Sequence, residues 1–398
     1  MARQQLFAWL TLSSLALAAC SENTTPTQPE APPTGPGSEP AGATAALTAT
    51  LSFRQVSAGQ THTCGVTTGD KAYCWGDNGE GGPPGGQLGD GSTTDRLIPV
   101  PVAGGLSFRQ VSAGVDHSCG VTTDNRAYCW GRNDWGQLGD GTNTTRLTPI
   151  AVAGGRRFRQ ISAGEHHTCA INTIDVAFCW GTNRFNVLGT GGGNSFIPVR
   201  VAGGLKFRNV SAGFSHTCGA TTGNRGYCWG ENSNYQIGDG TSTIFSRPKP
   251  VAVAGGLSFR EVFAGSGYIS EAGDQHPDHA LSCGVTTTNR AYCWGSGAAS
   301  STPVEVAGGR RYSAISAGIQ GCGVSLAGGV YCWSLLGLVY VPAGGLRFIG
   351  VSVSGIRRHT CAVTTGNRAY CWGENSQGQL GDGTTTERTN PVPVAGAM

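Results

Sequence analysis

Fourteen of the fifteen cysteines fall into seven pairs, and within every pair the two residues stand ten positions apart. They are Cys64 and Cys74, Cys119 and Cys129, Cys169 and Cys179, Cys218 and Cys228, Cys283 and Cys293, Cys322 and Cys332, and Cys361 and Cys371. Each pair sits inside a longer unit, F-R-x-V-S-A-G-x-x-H-T-C-G-V-T-T-x-N-R-A-Y-C-W-G. A loop that often reads GQLGDGT follows, and then P-V-x-V-A-G-G. The units open at Phe53, Phe108, Phe158, Phe207, Phe259, Tyr312 and Phe348. Units of this length built from four short strands stack radially, unlike solenoids of helices. The chain therefore reads as all-β, a seven-bladed β-propeller of four-stranded antiparallel blades.

The register inside a unit follows from one turn. Six positions after the first cysteine stand Asp70, Asn125, Asp175, Asn224, Asn289, Gly328 and Asn367. These residue types tolerate the left-handed backbone that a three-residue hairpin loop needs. Folding the strands about that loop sets each cysteine against its mate. It also sets Gly65, Gly120, Ala170, Gly219, Gly284, Gly323 and Ala362 against Tyr73, Tyr128, Phe178, Tyr227, Tyr292, Tyr331 and Tyr370. A small residue always faces a ring, which leaves the ring room to lie across its neighbouring strand and fill the gap to the next blade.

Opposed strand residues have Cα atoms about 4.5–5.5 Å apart, within reach of a disulfide. All seven pairs are read as intra-blade disulfides, each stabilising by about 2–3 kcal/mol in the chain-entropy model. Zinc is the rival, but C-x9-C lacks the short C-x2-4-C knuckle of structural zinc sites. The first unit begins without a preceding P-V-x-V-A-G-G, whereas the chain runs on to Pro391–Gly396. The C-terminal strand is thus expected to complete the first blade and close the ring, removing exposed edges.

The fifteenth cysteine belongs to a leader. Met1-Ala2-Arg3 precedes an apolar run from Leu6 to Ala18, too short to span a bilayer, which takes about 20 residues. Leu17-Ala18-Ala19-Cys20 closes it as a processed export signal does. This end resembles the lipobox of bacterial lipoproteins, which implies acylation of Cys20; an ordinary secretory signal ending at a cysteine is the alternative. Residues 1–19 are then a lipoprotein signal peptide, and 20–45 the lipidated cysteine with a disordered Pro/Thr/Ser-rich tether. Residues 46–398 form the propeller. The tether reaches from about 30 Å as a coil to about 80 Å when stretched. Export suits an even set of paired cysteines. The expected location is a bacterial membrane, by lipid anchor only, at the outer membrane or cell surface, as Ser21 after Cys20 favours. Sixty-five glycines without a G-X-Y period exclude collagen, and a net charge of +3 without a basic tract gives no sign of nucleic acid as a partner.

The combination A-G-x-x-H-T/S, Y-C-W-G-x-N and GQLGDG resembles the repeat of the regulator of chromosome condensation family and covers residues 53–396. The resemblance implies a seven-bladed propeller. The eukaryotic founder of that family is a nucleotide-exchange factor for a small nuclear GTPase and binds chromatin. Secreted bacterial relatives include a protein inhibitor of beta-lactamase. The paired cysteines and the lipobox depart from the nuclear protein, and an exported chain meets neither that GTPase nor its nucleotides.

Residues with chemistry were weighed against the repeat. His62, His117, His167, His216 and His359 recur two positions before the first cysteine, but the slot is Leu281 and Gln320 in copies five and six. They are read as hydrogen-bonding residues of their own blades rather than a metal ring. GQLGDG is no phosphate loop, because no helix follows it. Asp90, Asp140, Asp239 and Asp382 are expected to pair with Arg96, Arg146, Arg247 and Arg388. No catalytic set, cofactor or metal site stands apart from the repeat.

The copies disagree in one region. Copy five carries an insertion between Gly265 and Cys283 that includes Tyr268, Glu271, Asp274, His276, Asp278 and His279. This is either a solvated loop or a divalent-cation loop. Copies five and six lack GQLGDG, and the connection elsewhere carries Trp135, Phe185 and Tyr235. Strand parity puts these features on one face and the tight turns on the other. Trp135, Phe185, Tyr235, Tyr268, Glu271, Asp274 and His276 are accordingly the candidate partner-binding residues. The expected function is a monomeric, non-catalytic, envelope-anchored propeller that binds a protein or glycan. Nucleotide exchange and a polysaccharide-acting enzyme are the alternatives, the latter needing carboxylates that converge at the channel mouth.

Overall fold

The computed structural model describes residues 51–79, 85–241, 243, 245–265, 280–334, 337–341, 343–355 and 359–396. Cys20, the leader and the tether lie outside the described residues. Seven four-stranded antiparallel sheets form a closed ring, each from one contiguous stretch of chain. Blade 1 comprises β1 (Phe53–Ala58), β2 (His62–Thr67), β3 (Ala72–Gly76) and β4 (Arg96–Pro101). Blade 7 comprises β25 (Phe348–Val353), β26 (His359–Thr364), β27 (Ala369–Gly373) and β28 (Arg388–Pro393).

The hairpin register is as the turn dictates. Asp70, Asn125, Asp175, Asn224, Asn289, Gly328 and Asn367 all have φ between 59° and 84°. Cys64 opposes Cys74 and Gly65 opposes Tyr73, with the same pairing in each blade. All seven disulfides are formed, with Cα atoms 4.0–4.1 Å apart.

Three expectations are corrected. The last strand does not complete the first blade: β28 pairs with β27 of its own unit, and β4 already closes blade 1. Each P-V-x-V strand folds back locally on the strand just before it, so the first unit lacks nothing. The ring closes face to face instead, with Leu51 N–H donating to Gly396 O (2.5 Å) and Phe53 N–H to Asn367 O (2.7 Å).

The second correction concerns the small residue opposite the tyrosine. Its space is taken chiefly by the first-strand ring of the same blade: a Cβ on Gly65 would stand 2.7 Å from Phe53, and one on Gly120 2.6 Å from Phe108. The tyrosine meets that ring edge-on (Phe53–Tyr73, 6.4 Å, 82°). Where alanine replaces glycine, the ring moves away from the blade's tryptophan. The centroid distance is 5.8 Å for Phe108–Trp130, 6.1 Å for Phe158–Trp180 and 6.5 Å for Phe348–Trp372.

The third correction concerns the histidines, whose partners lie in the next blade. His62 Nε2 is 2.8 Å from Ser118 Oγ, His117 2.9 Å from Thr168, His167 2.9 Å from Thr217, His216 2.7 Å from Ser282, and His359 3.0 Å from Thr63. Ser118 in turn donates to Gln87 O (2.9 Å), and the Trp130 indole N–H donates to that same carbonyl (2.9 Å). The imidazole is therefore the donor to Ser118, which fixes its proton on Nε2. This chain, His to Ser/Thr to the GQLGDG carbonyl to Trp, clasps blade 1 to blade 2. It recurs at junctions 2/3, 3/4, 4/5 and 7/1, with Trp180, Trp229, Trp294 and Trp75 as donors.

The apolar core lies between blades. Phe108, Val111 and Trp130 of blade 2 cover Cys64, Val66, Ala72 and Cys74 of blade 1, and the pattern continues around the ring. Fully burying each such side chain contributes about 1.5–3 kcal/mol. Each disulfide therefore lies under the tryptophan of the blade that follows.

Burial makes the clasp sensitive to acid. It lowers the pKa of His62 to about 4 and those of His117, His167 and His216 to about 3, from 6.5. A group with a depressed folded-state pKa that is neutral in the fold contributes fully above 6.5 and loses that contribution as pH falls toward 3–4. Each histidine is worth on the order of 3 kcal/mol over that window. The midpoint of thermal unfolding should fall steeply as the pH drops below about 6.5. A midpoint unchanged from pH 7 to 4 would contradict the neutral clasp.

Candidate binding cleft

The connections between first and second strands and between third and fourth strands share one face. At its centre the first-strand loops narrow the channel, with an Ala-Gly pair in six copies and Val353-Ser354 in the seventh. A Cβ on Gly114 would stand 2.5 Å from Gly164 O, and one on Gly164 2.6 Å from Gly213 O, so successive loops touch by backbone. The mouth is consequently a tight collar of about 90 Å3.

A larger cavity of about 450 Å3 lies off-centre, and Trp135, Glu165, His166, Arg184, Phe185 and Phe214 are among its lining residues. Trp135 is 44% exposed, and its ring tilts by 32° over His166 at 6.1 Å. Phe185 sits in a 3-10 turn, Arg184–Asn186, with φ 59°, and the Arg184 guanidinium lies 4.8 Å over its ring. Asn183 secures the turn by accepting from Leu188 N–H (2.9 Å) and donating to Gly192 O. Trp135 and Phe185 are thus brought together.

Tyr235 lies on the same face outside this cavity, 36% exposed, with φ 59°. Copies one, two and seven hold glycine at that slot. A Cβ there would stand 2.6 Å from Leu147, 2.2 Å from Phe196 or 2.4 Å from Leu97 of the next blade. Tyrosine is admitted in copy four because the facing residue is Ser301. Tyr268, Glu271, Asp274 and His276 lie outside the described residues.

The sequence reading missed Glu165, His166, Arg184 and Phe214. The signal was the two-residue slot in A-G-x-x-H, which reads Gln-Thr, Val-Asp, Glu-His and Phe-Ser in copies one to four. Burial pushes the Glu165 carboxyl up to about 8; Arg184 opposes this, while Asp116 and Glu231 add to it. Burial lowers His166, whose Nε2 is 3.4 Å from Glu165 Oε1. Burial thus favours the uncharged form of both groups, and Glu165 lines both cleft and channel mouth. Asp116 is held by Arg132 at 3.2 Å. Among the described residues no His/Cys/Asp/Glu group is arranged to hold a metal ion.

The four expected Asp–Arg pairs form, with N–O distances of 2.7–3.0 Å. They fold the connection on itself. Buried Asn133 takes Leu138 N–H on Oδ1 and donates to Thr142 O and Thr144 O, and the equivalent asparagines of blades 1 and 7 do the same.

Two family models of the regulator of chromosome condensation (RCC1) repeat match the chain. One matches residues 70–121, 124–171 and 367–398, and the other 53–81, 108–137, 158–186, 207–236 and 351–379. An 83-residue stretch is 34% identical to the ultraviolet-B receptor UVR8 of Arabidopsis thaliana, covering 20% of this chain and 18% of the receptor. Among solved structures, human WBSCR16 superposes with a TM-score of 0.56 at 16% identity, over 86% of this chain and 82% of that one. Yeast RCC1 (Prp20), solved with Kap60 bound, gives 0.52 at 17% identity over 86% and 74%. The ectodomain of the Arabidopsis thaliana receptor kinase ACR4 gives 0.53 at 17% identity over 86% and 98%. At these identities the structures speak for the fold alone.

A carboxyl raised by burial has the opposite pH sign to the histidines: its contribution is fully present below the unfolded value of 4.5 and is lost as pH rises to about 8. Glu165→Gln should therefore leave the unfolding midpoint nearly unchanged at pH 5 and raise it at pH 9. Equal effects at both pH values would mean that Glu165 ionises normally.

Proposed function

From a chain that belongs to the regulator of chromosome condensation repeat family, we propose an exported, lipid-anchored binding propeller. It recognises a protein or glycan partner through the loop face of blades 2 to 4 and performs no catalysis. One observation carries the reading: Trp135 and Phe185 share a cavity of about 450 Å3 on the face where the copies diverge. Phe185 and Tyr235 are both held at positive φ, which costs a bulky residue of order 1–3 kcal/mol. Backbone strain of this kind clusters where side chains are aimed at ligands. A cleft with aromatic walls and a few polar groups suits recognition on a rigid scaffold. Yeast RCC1 (Prp20), of the same fold, has been solved with a protein bound.

A second reading, an enzyme acting on polysaccharide, draws on Glu165. A carboxyl whose pKa is raised by burial, with further carboxyls of Asp116 and Glu231 acting on it, is the pairing that acid/base chemistry needs.

Two experiments follow. Residues 46–398, made under oxidising conditions, would be used to capture partners from envelope extract, beside a bait carrying Trp135→Ala, Phe185→Ala and Tyr235→Ala. A partner held by the first bait and lost by the second is the expected result. Equal capture by both baits, or none, would turn attention to Glu165 and to assays of polysaccharide cleavage. Thiol labelling of intact cells, with fractionation of a Cys20→Ala variant, tests the location. The propeller should be thiol-free and the variant released from the membrane fraction; labelled, cytoplasmic protein would instead favour nucleotide exchange.

A further inference from the structure

Two of the seven junctions lack the clasp, and they differ in a way that points to a ligand. At junction 5/6 the whole network has been exchanged. The histidine slot is Leu281, the Ser/Thr slot is Gly321, and the Trp333 indole N–H leans into the freed space to reach Cys293 Sγ at 3.0 Å. Donor, relay and acceptor have gone together, so no polar group is stranded there.

Junction 6/7 has lost the loop and the histidine, whose slot is Gln320, but keeps the other two members. Its relay residue is still Thr360 and its tryptophan still Trp372, both more than nine-tenths buried. Trp75, Trp130, Trp180, Trp229 and Trp294 each donate at 2.8–3.0 Å to a loop carbonyl of the preceding blade. The Trp372 indole N–H and the Thr360 hydroxyl meet no acceptor among the described residues. The Thr389 carbonyl occupies the position that takes a glycine N–H from the loop at four other junctions, through Leu147, Phe196, Ser301 and Leu97.

Trp372 and Thr389 border a cavity of about 240 Å3, walled also by Gln320, Trp333, Val339 and Tyr340. At the clasped junctions the equivalent space is filled by the loop's own Leu88, Leu138, Leu188, Ile237 or Leu380, each fully buried. The bordering outer strand, β24 (Gly337–Tyr340), is also the exception of its kind. The other six outer strands carry a proline at their fourth position, a device that blocks strand addition, and β24 carries none. Val339 and Tyr340 are 64% and 50% exposed beside the cavity.

We propose that junction 6/7 is a docking slot for an extended segment of a partner protein. That segment supplies a main-chain carbonyl to Trp372 and Thr360, gives an N–H to Thr389 O, and seats a leucine or isoleucine side chain between Trp333 and Trp372. The partner's sequence requirement is set by this molecule's own five clasps: a leucine or isoleucine followed directly by glycine, as in Leu88-Gly89, Leu138-Gly139, Leu188-Gly189, Ile237-Gly238 and Leu380-Gly381. The slot is separate from the cleft of blades 2 and 3, so either site can fail without the other.

The test uses the full chain labelled with 15N at tryptophan and a synthetic peptide copying residues 375–384, Asn-Ser-Gln-Gly-Gln-Leu-Gly-Asp-Gly-Thr. Binding should move one indole N–H signal downfield, the signal that disappears in Trp372→Phe. Trp372→Phe, Thr360→Val and a peptide with alanine for leucine should each bind about tenfold more weakly, the effect of one unmade buried hydrogen bond or one unfilled apolar pocket. The remaining indole signals should keep their positions in Trp372→Phe, which certifies its fold; if they do not, Thr360→Val carries the comparison. The Trp135→Ala, Phe185→Ala pair should bind the peptide as the parent does. Three outcomes overturn the proposal: no indole shift at millimolar peptide, a shift confined to other tryptophans, or equal affinity for the leucine and alanine peptides.

Discussion

The interaction on which the ring depends is the hydrogen bond from a buried indole N–H to the main-chain carbonyl of the blade before it. Leaving such a donor unpaired in the core costs about 1–3 kcal/mol, and the repeat's most regular letters follow from avoiding that cost. The connection must cross to the next blade, so its second glycine has to pass directly beneath the ring. A Cβ on Gly139 would stand 2.5 Å from the Trp180 indole nitrogen, and Gly89, Gly189, Gly238 and Gly381 are equally confined. The buried asparagine after Trp-Gly ties the connection down, and the Asp–Arg pair holds its far end. GQLGDG therefore looks like a ligand loop in sequence and is a structural clasp in space.

What was legible in the sequence was local. A period of two, a turn residue that accepts positive φ and a fixed cysteine spacing determine each hairpin, because all three act within one stretch of chain. What was not legible was anything that links one copy to the next. The histidine's partner is the residue after the next copy's histidine, and identical repeats give the same pattern whether a bond lies within a blade or between blades. Closure failed for the same reason: a last strand lent to the first blade and a last strand kept at home have the same sequence. The cleft was half legible. Trp135 and Phe185 stood out as rings in loops that vary. Glu165 and His166 did not, since their two positions vary in every copy and only the fold shows that they face the same cavity as the rings.

Departures from the repeat fall into two physical kinds. At junction 5/6 the polar set has been removed as a unit and replaced by leucine, glycine and a sulfur contact, which leaves a sealed apolar seam. At junction 6/7 an indole donor and a hydroxyl relay persist without an acceptor among the described residues, and at copies three and four rings persist at positive φ where glycine would be free of strain. Drift that is only tolerated tends toward the first kind, since each stranded group or strained residue lowers stability. The second kind is what the proposed binding surfaces have in common.

The placement of the disulfides explains how the ring withstands such departures. Each bridge joins neighbouring strands of one blade and none joins two blades, so the seven staples hold seven hairpins independently of the junctions. A staple contributes about 2–3 kcal/mol through a loop of ten positions, comparable with what a clasp contributes. A blade that loses its clasp keeps its staple, and its disulfide still offers the apolar floor on which the next tryptophan rests: Cys322 and Cys332 remain packed beneath Phe348 and Trp372. Local covalent closure thus separates the stability of each blade from the polar chemistry of its edge. Without the staples, the two junctions that lack the clasp would be held by apolar contacts and the remaining hydrogen bonds, such as Tyr312 N–H to Asn289 O and Phe348 N–H to Gly328 O, and would be the place for the ring to come apart.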